Sequence, residues 1–197
     1  MGRWEPNARG RLEAAALDLY TEVGFEQTTV AQIAARAGLT ERTFFRHFAD
    51  KREVLFWGRN ALEETVVDTI AGLPESVGPF DAAAEGLAAP ATLFEVRRDL
   101  ARKRQAVIAA NPALRERELI KLASLGSAVA EALHRRGVPD PAAVLAAEAA
   151  IAAFKIAFER WIAAPDDRRF AQFVRESVDE LKAVTAGRPA TAASSPN

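Results

Sequence analysis

The sequence predicts an all-α fold, because helical signals recur along the chain and no strand pattern interrupts them. Apolar residues make up 49% of the 197 residues, and alanine, the strongest helix former, supplies much of that share. Within each predicted segment, apolar residues recur every three or four positions, as they do on the buried face of an amphipathic helix. Capping residues, glycines and prolines bound these segments.

The first three predicted helices are closely spaced. Thr29 and Gln32 match the capping-box pattern at the start of the second helix. Gly38 separates the second helix from the third, and Thr40 is placed to cap the third. We therefore expect helices over residues 8–23, 30–37 and 41–48.

The later helices are longer. The pattern Asp50-x-x-Glu53 predicts the start of a fourth helix, and residues 72–79 have the composition of a linker. Asn111-Pro112 and Asp140-Pro141 each pair an N-cap residue with a first-turn proline, which is a helix start signal. We therefore expect helices over residues 92–110, 112–136 and 141–163, and a last one from Pro165.

The net charge of −1 is unevenly distributed. Residues 36–52 contain five basic and two acidic residues, so this stretch carries +3 while the rest of the chain is acidic. A basic patch of this kind suits contacts with nucleic-acid phosphates, whose affinity is largely electrostatic.

The composition argues against an enzyme, a metal site and a cofactor site. The chain has no cysteine, and its two histidines, His47 and His134, are far apart in sequence. Neither a glycine-rich phosphate loop nor a cluster with metal-ligand spacing is present. There is no signal-peptide pattern and no apolar run of about 18 residues, so we expect a cytoplasmic protein without membrane contact.

Residues 28–55, TTVAQIAARAGLTERTFFRHFADKREVL, have the spacing of a helix-turn-helix. Ala34 is small where two helices would cross closely, and Gly38 permits the positive φ of the turn. Phe44 is placed to hold the crossing from the inside. The outer face of the third helix then carries Arg42, Thr43, Arg46 and His47.

Four pieces of this stretch form a specific series: Gly24-Phe25, TTVAQIAARAGLT, TFFRHF and DKREVLF. Together they resemble the DNA-binding domain of the TetR (tetracycline-repressor) family of bacterial transcriptional regulators. The resemblance covers about residues 12–56 and implies a homodimeric all-α regulator of double-stranded DNA. It also implies three domains or segments: a three-helix helix-turn-helix domain over 1–52, a helical effector-binding and dimerisation domain over 53–186, and a disordered tail over 187–197.

The resemblance implies that nine residues bind DNA. Thr29 would contact a backbone phosphate, helix 41–48 would be the recognition helix in the major groove, and His47 and Lys51 would hold phosphates. The family usually has tyrosine at the position of Phe45. Because phenylalanine has no hydroxyl group, Phe45 can pack only on a sugar or a thymine methyl group. The expected DNA-binding residues are Thr29, Thr40, Glu41, Arg42, Thr43, Phe45, Arg46, His47 and Lys51.

Several of these residues also have a structural interpretation. His47 stands beside phenylalanines and could be a core histidine, and Glu41 suits the dipole of the first helical turn. Thr29 caps its helix whether or not it touches DNA, and Lys51 could be an ordinary solvated charge. Either a DNA-contacting arm or a solvated terminus is compatible with Arg3, Arg9 and Arg11.

A second basic cluster lies within residues 95–104 and continues with Arg115, Arg117 and Lys121. It is compatible with a solvent-exposed face of i,i+4 charge pairs. It is also compatible with arginines that meet an anionic effector. The layout resembles a TetR subgroup whose sensing domains are associated with acyl-coenzyme-A-like ligands, which leads to the hypothesis of such an effector here.

The resemblance also implies a four-helix dimer interface, formed by the last two helices of each subunit. The expected interface residues are Ile151, Phe154, Phe158, Trp161, Phe170, Phe173 and Val174. The expected effector-pocket residues are Leu93, Phe94, Leu100, Val107, Leu119, Leu122 and Val129. Both sets could instead form an intramolecular core.

We therefore expect a sequence-specific DNA-binding transcriptional regulator, a repressor that a small-molecule effector releases from a pseudo-palindromic operator. The dimer would place its two recognition helices about 34–36 Å apart, one turn of DNA. The alternative is a helical dimeric protein that binds a small molecule or serves as a scaffold without binding DNA.

Overall fold

The computed structural model describes residues 7–56, 58–91 and 97–187, and within these ranges every regular element is helical, which confirms the all-α prediction. Arg3, Leu93, Phe94 and nearly all of the predicted tail lie outside the described residues. The elements are α1 (Ala8–Glu22), α2 (Val30–Arg36), α3 (Glu41–His47), a short 3-10 helix (Glu53–Phe56), α4 (Arg59–Gly72), α5 (Pro79–Ala88), α6 (Arg98–Ala110), α7 (Pro112–Arg135), α8 (Ala142–Ala163) and α9 (Phe170–Thr185).

Four element boundaries differ from the sequence-based prediction, and one of them is the start of α6, at Arg98 rather than Thr92. Asp50 caps a single 3-10 turn rather than α4, and Gly58, with a φ of 81°, lies between that turn and α4. The expected linker ends at Gly78, which is the N-cap residue of α5. This helix begins with Pro79 and was not predicted from the sequence. The last helix begins at Phe170 rather than Pro165.

The described chain forms two compact units. The first unit combines residues up to 60 with residues 97–121, and the second combines residues 61–91 with the chain from 122 onward. Segment 97–121, which the sequence analysis placed in the second domain, therefore packs in the unit that contains the helix-turn-helix.

The core of the first unit is built around α1. This helix buries Leu12, Leu17 and Tyr20, and α2 and α3 pack on it through Ile33 and Phe44, both 0% exposed. The same core includes side chains of α6 and α7, namely Val107, Ile108 and Leu114. A single apolar core thus unites three short helices with a segment about 50 residues further along the chain.

The second unit is organised by α8, which packs against both α5 and α9. The alanines of α8 permit close approach, and an aromatic cluster closes its end. Ring centroids of Phe154, Phe158 and Trp161 lie 5.3–6.0 Å from the ring of Phe170 on α9. No described helix has the length and apolarity needed to cross a bilayer.

Candidate nucleic-acid interface

The turn between α2 and α3 has the geometry that the sequence predicted. Gly38 adopts a φ of 65°, and the Leu39 N–H donates to the Ala34 carbonyl at 2.8 Å. Arg11 of α1 donates to the Ala37 carbonyl at the end of α2. Because Phe44 is fully buried beneath this turn, α3 is held from below and its opposite face is left to solvent.

The outer surface of α3 contains most of the predicted DNA-binding residues. Phe45 is 55% exposed although its ring packs edge-on against Phe44, with centroids 5.5 Å apart. Thr43 and His47 are half-buried at the edge of this surface. The exposed residues are Thr40, Glu41, Arg42, Phe45 and Arg46.

Threonines cap both helices of the motif. The Gln32 N–H donates to Thr29 Oγ1 at 3.2 Å, and the Thr29 N–H donates to Gln32 Oε1 at 2.8 Å, which confirms the predicted capping box. Thr40 Oγ1 accepts from the Thr43 N–H at 3.2 Å and lies 3.0 Å from the Thr43 hydroxyl. Both caps remain exposed, so the caps themselves leave room for a phosphate contact.

The surroundings of His47 favour its neutral form. Burial lowers its pKa, and the positive charges of Arg46 and Arg9 lower it further. Its Nε2 atom is buried and has no hydrogen-bond partner among the described residues, so a proton there would be an unsatisfied donor.

The structure gives Lys51 a different role from the predicted phosphate contact. Its Nζ donates to the carbonyls of Phe25, Glu26 and Thr28 at 2.8, 3.1 and 3.0 Å, and lies 4.5 Å from the centroid of the Phe25 ring. An ammonium group has three N–H donors, and all three are used here. Lys51 therefore fastens the loop before α2 to the chain after α3.

Ion pairs reduce the number of cations that this region offers to a ligand. Arg36 makes two hydrogen bonds to Glu22, at 3.1 and 2.8 Å, and Arg52 pairs with Asp50 at 2.9 Å. Arg42 and Arg46 form no ion pair with any described residue. The two guanidinium groups available on the surface of α3 are therefore those of Arg42 and Arg46.

The cations of the second basic cluster mostly pair with carboxylates of other elements, rather than in i,i+4 pairs along one helix. Arg102 does form a local pair, with Asp99. Arg104 pairs with Glu118, another carboxylate of segment 97–121. The remaining pairs reach α1 and the 3-10 turn: Arg97 with Glu13, Lys103 with Asp18, and Arg117 and Lys121 with Glu53.

The residues predicted at the dimer interface lie inside a single chain. Phe158 is half-buried, and the other six are at most 9% exposed: Ile151, Phe154, Trp161, Phe170, Phe173 and Val174. The alternative that the sequence left open, an intramolecular core, is therefore correct for these six. The reason is that the facing helices of one chain, α8 and α9, already cover their apolar stripes. The large apolar residues of α8 left exposed are Val144, Leu145 and Ile156.

The predicted effector-pocket residues do not form one group. Leu93 and Phe94 lie outside the described residues. Leu100 and Val107 pack in the core of the first unit, because α6 turns its apolar face onto α1. Leu119 is exposed in that unit, whereas the second unit contains Leu122 and the buried Val129.

Several positioning contacts escaped the sequence analysis. Tyr20 donates to the Lys51 carbonyl at 2.6 Å, and burial raises the pKa of its phenol. Arg104 donates to the Leu55 carbonyl. These partners are 31 and 49 residues apart, so no local pattern could reveal them. Among the described residues no group of acidic or histidine side chains could hold a metal ion.

Two family models match the chain. The model for bacterial regulatory proteins of the tetR family matches residues 12–56, and the model for the MftR C-terminal domain matches residues 77–186. The HTH-type transcriptional regulator TcmR of Streptomyces glaucescens is 39% identical over 74 residues, which is 38% of this chain. That match spans 33% of the length of TcmR.

Solved structures share the fold. The SmeT–triclosan complex has a TM-score of 0.60 at 18% identity, covering 96% of this chain and 98% of that one. The regulator FadR of Bacillus subtilis, in complex with stearoyl-CoA, has a TM-score of 0.62 at 17% identity, covering 87% and 96%. At such identities the likeness extends to the fold.

Proposed function

The chain belongs to the tetR family of bacterial regulatory proteins, and on that premise we propose that it is a sequence-specific DNA-binding transcriptional regulator. The observation that carries the proposal is the outer surface of α3. There, two guanidinium groups that form no ion pair with a described residue flank an exposed aromatic ring on a helix held by α1 and α2. A short helix presented in this way fits the major groove.

The exposed groups have distinct chemistries toward DNA. Arg42 and Arg46 can donate to guanine edges or to phosphates, and Phe45 can pack on a thymine methyl group. Thr29 can bind a phosphate beside its cap. His47 would contribute a neutral N–H donor rather than a charge. Lys51 is not among the proposed DNA contacts, because its three N–H donors already bind backbone carbonyls.

We propose that the regulator acts as a homodimer on a pseudo-palindromic operator, as a repressor released by a small molecule. The exposed stripe of Leu145, Ala152 and Ile156 on α8 supports a helix-to-helix contact, because its central residue is small. The ligands of the neighbours, triclosan and stearoyl-CoA, favour an apolar effector, and an acyl-coenzyme A remains our hypothesis. We place the protein in the cytoplasm and assign it no catalytic activity.

Fluorescence anisotropy tests the function, with a duplex that the wild-type protein enriches from random DNA as the probe. Arg42→Ala and Arg46→Ala should each weaken binding roughly 5- to 150-fold, since a good base contact contributes about 1–3 kcal/mol. Arg175→Ala, which removes an exposed arginine of the second unit, is the matched control and should change little. Stearoyl-CoA should release the wild-type protein from the duplex.

The outcomes separate the parts of the proposal. If no duplex is enriched, the DNA-binding function is refuted and the scaffold alternative is favoured. If a duplex is enriched but both α3 variants bind it like the wild type, the proposed contacts of Arg42 and Arg46 with DNA are refuted. If the duplex binds but stearoyl-CoA has no effect, only the acyl-coenzyme A hypothesis is lost.

A further inference from the structure

Residues 97–121, hereafter the α6–α7 segment, contribute to the same apolar core as the helix-turn-helix. Val107, Ile108 and Leu114 are at most 6% exposed within that core. The segment is therefore a structural part of the unit that presents α3, although about 40 residues of chain separate it from Phe56.

Charge is divided between the two parts of this unit. Residues 7–56 contain seven basic and seven acidic residues, so their net charge is zero. Residues 97–121 contain eight basic and three acidic residues, a net charge of +5. The net positive charge of this unit thus comes from the α6–α7 segment, because the +3 of residues 36–52 is cancelled by the −3 of the other residues of 7–56.

Two contacts tie the segment to α1. Arg97 pairs with Glu13, and Lys103 Nζ lies 2.9 Å from the Asp18 carboxylate. Each pair is partly exposed and contributes little stability alone. Both cations come from the segment and both carboxylates come from α1, so the two pairs together hold α1 against the segment.

A second set of contacts holds the 3-10 turn that follows α3. Arg104 Nε donates to the Leu55 carbonyl at 2.6 Å, and its guanidinium lies 5.2 Å from the centroid of the Phe56 ring. Burial lowers the pKa of Arg104, while Glu118, 3.1 Å from its Nη1, acts in the opposite direction. Arg104 thus connects the segment's own carboxylate to the backbone of the turn.

Glu53 is the carboxylate at the centre of this set. Arg117 Nε donates to it at 2.8 Å, and Lys121 Nζ lies 3.8 Å away. Glu53 is also linked to the end of the helix-turn-helix, because its N–H donates to Asp50 Oδ1 at 3.0 Å. A displacement of Arg117 would therefore move Glu53 and, with it, the chain that follows α3.

We propose that the α6–α7 segment is part of the DNA-binding machinery, and that Glu53, Arg104 and Arg117 are positioning residues for α3. The segment sets the placement of α1 and of the 3-10 turn through charge pairs, and operator affinity depends on those pairs. This inference rests on the proposed function of DNA binding.

A charge reversal at Glu53 separates positioning from simple electrostatics. Glu53→Arg raises the net charge of the unit by two, so attraction to phosphates alone would strengthen DNA binding. Positioning predicts the opposite, because Arg117 and Lys121 would then repel the substituted residue. With the enriched duplex described above, we expect Glu53→Arg to bind on the order of tenfold more weakly than the wild type.

The swapped pair and matched controls complete the experiment. Glu53→Arg combined with Arg117→Glu restores an ion pair, and should recover affinity to within about threefold of the wild type. Glu116→Arg makes the same charge change at an exposed residue of the segment and should bind at least as tightly as the wild type. If Glu53→Arg does not fold, Arg117→Gln replaces it, compared with Arg115→Gln at an exposed position.

The result that overturns the inference is distinct from one that overturns DNA binding. A wild-type protein that enriches no duplex removes the proposed function and the inference with it. A wild-type protein that binds, with a folded Glu53→Arg variant binding equally well or better, removes the inference alone. Failure of the swapped pair to recover affinity, with circular dichroism unchanged, also contradicts it.

Discussion

Phe45 and His47 show how single side chains of α3 depart from the family pattern and from simple charge arguments. Phe45 leaves an aromatic ring 55% exposed, which is unfavourable in water unless a partner covers it. His47 adds no charge to the surface, because burial and the neighbouring arginines hold it neutral. In the proposed complex, the polar contacts of this helix with DNA would therefore fall mainly to Arg42 and Arg46.

The lowered pKa of His47 has a consequence for stability. In the unfolded chain His47 becomes protonated near the ordinary histidine pKa of about 6.5. In the folded protein its pKa is lower, so it is protonated only at a lower pH. The contribution of neutral His47 to the free energy of unfolding is therefore complete above about pH 6.5, and it is lost as the pH falls through the folded-state pKa. Urea unfolding of the wild type should show a decrease in the free energy of unfolding between pH 7.5 and 5.5.

His47→Gln is the control for this prediction, since glutamine does not titrate. Its free energy of unfolding should vary less over the same range. Glu22, whose pKa is lowered by its hydrogen bond from Arg36, loses its contribution only at a more acidic pH. If the free energy of unfolding depends on pH equally in the wild type and in the variant, the pKa of His47 is not lowered by folding.

At the scale of helices, cap and glycine signals predicted α1, α2 and α3 to within a residue or two. These signals act through neighbours three or four positions apart, such as Thr29 and Gln32, so the sequence contains the whole interaction. The 3-10 turn and α5 were missed for different reasons. Gly58 interrupts a continuous apolar pattern, and the alanines of α5 follow a proline-rich stretch that resembles a linker.

Gly86 is required for the packing of α5 on α4. A Cβ atom at this position would lie 2.6 Å from Ile70 Cγ1 and 3.1 Å from the Val66 carbonyl oxygen. Gly86→Ala should therefore lower the free energy of unfolding by about 1–3 kcal/mol, the usual cost of overpacking. Helix propensity alone would raise it by about 1 kcal/mol, so the sign of the change distinguishes the two effects.

Gly72→Ala is the matched control for this substitution. Gly72 ends α4, and a Cβ atom there would meet no other atom within 4 Å. Chemical denaturation should show unchanged or slightly raised stability for Gly72→Ala. A Gly86→Ala variant as stable as this control would mean that Ile70 moves aside at no cost.

Across the whole molecule, charge follows the two units. The described residues of the first unit outside the start of α4, 7–56 and 97–121, carry +5, whereas those of the second unit, 61–91 and 122–187, carry −7 with eight basic and fifteen acidic residues. The net charge of −1 therefore describes neither unit. An acidic second unit repels phosphates, which favours approach to DNA through the first unit.

The exposed apolar stripe of α8 gives a prediction about assembly. Ile156 is 51% exposed and Leu145 is 66% exposed on this helix. Ile156→Glu should convert the proposed dimer to a monomer, because a buried unpaired carboxylate is costly at an interface. Light scattering coupled to gel filtration at micromolar concentration measures the change.

Val23→Glu is the control for assembly, because Val23 is 48% exposed at the end of α1 and lies outside this stripe. It should remain dimeric. A dimeric Ile156→Glu variant would exclude the α8 stripe as the interface, and a monomeric wild type would exclude the proposed dimer.

The amino-acid sequence by itself determined the family, the all-α fold and the helix-turn-helix with its caps and turn. These features depend on residues close in the chain, whose spacing is visible without coordinates. The tertiary structure decided which cations are free, which apolar stripes are core, and that residues 97–121 join the unit that presents α3. Those outcomes depend on partners tens of residues apart, such as Arg104 with Leu55 and Lys103 with Asp18, and no local pattern encodes them.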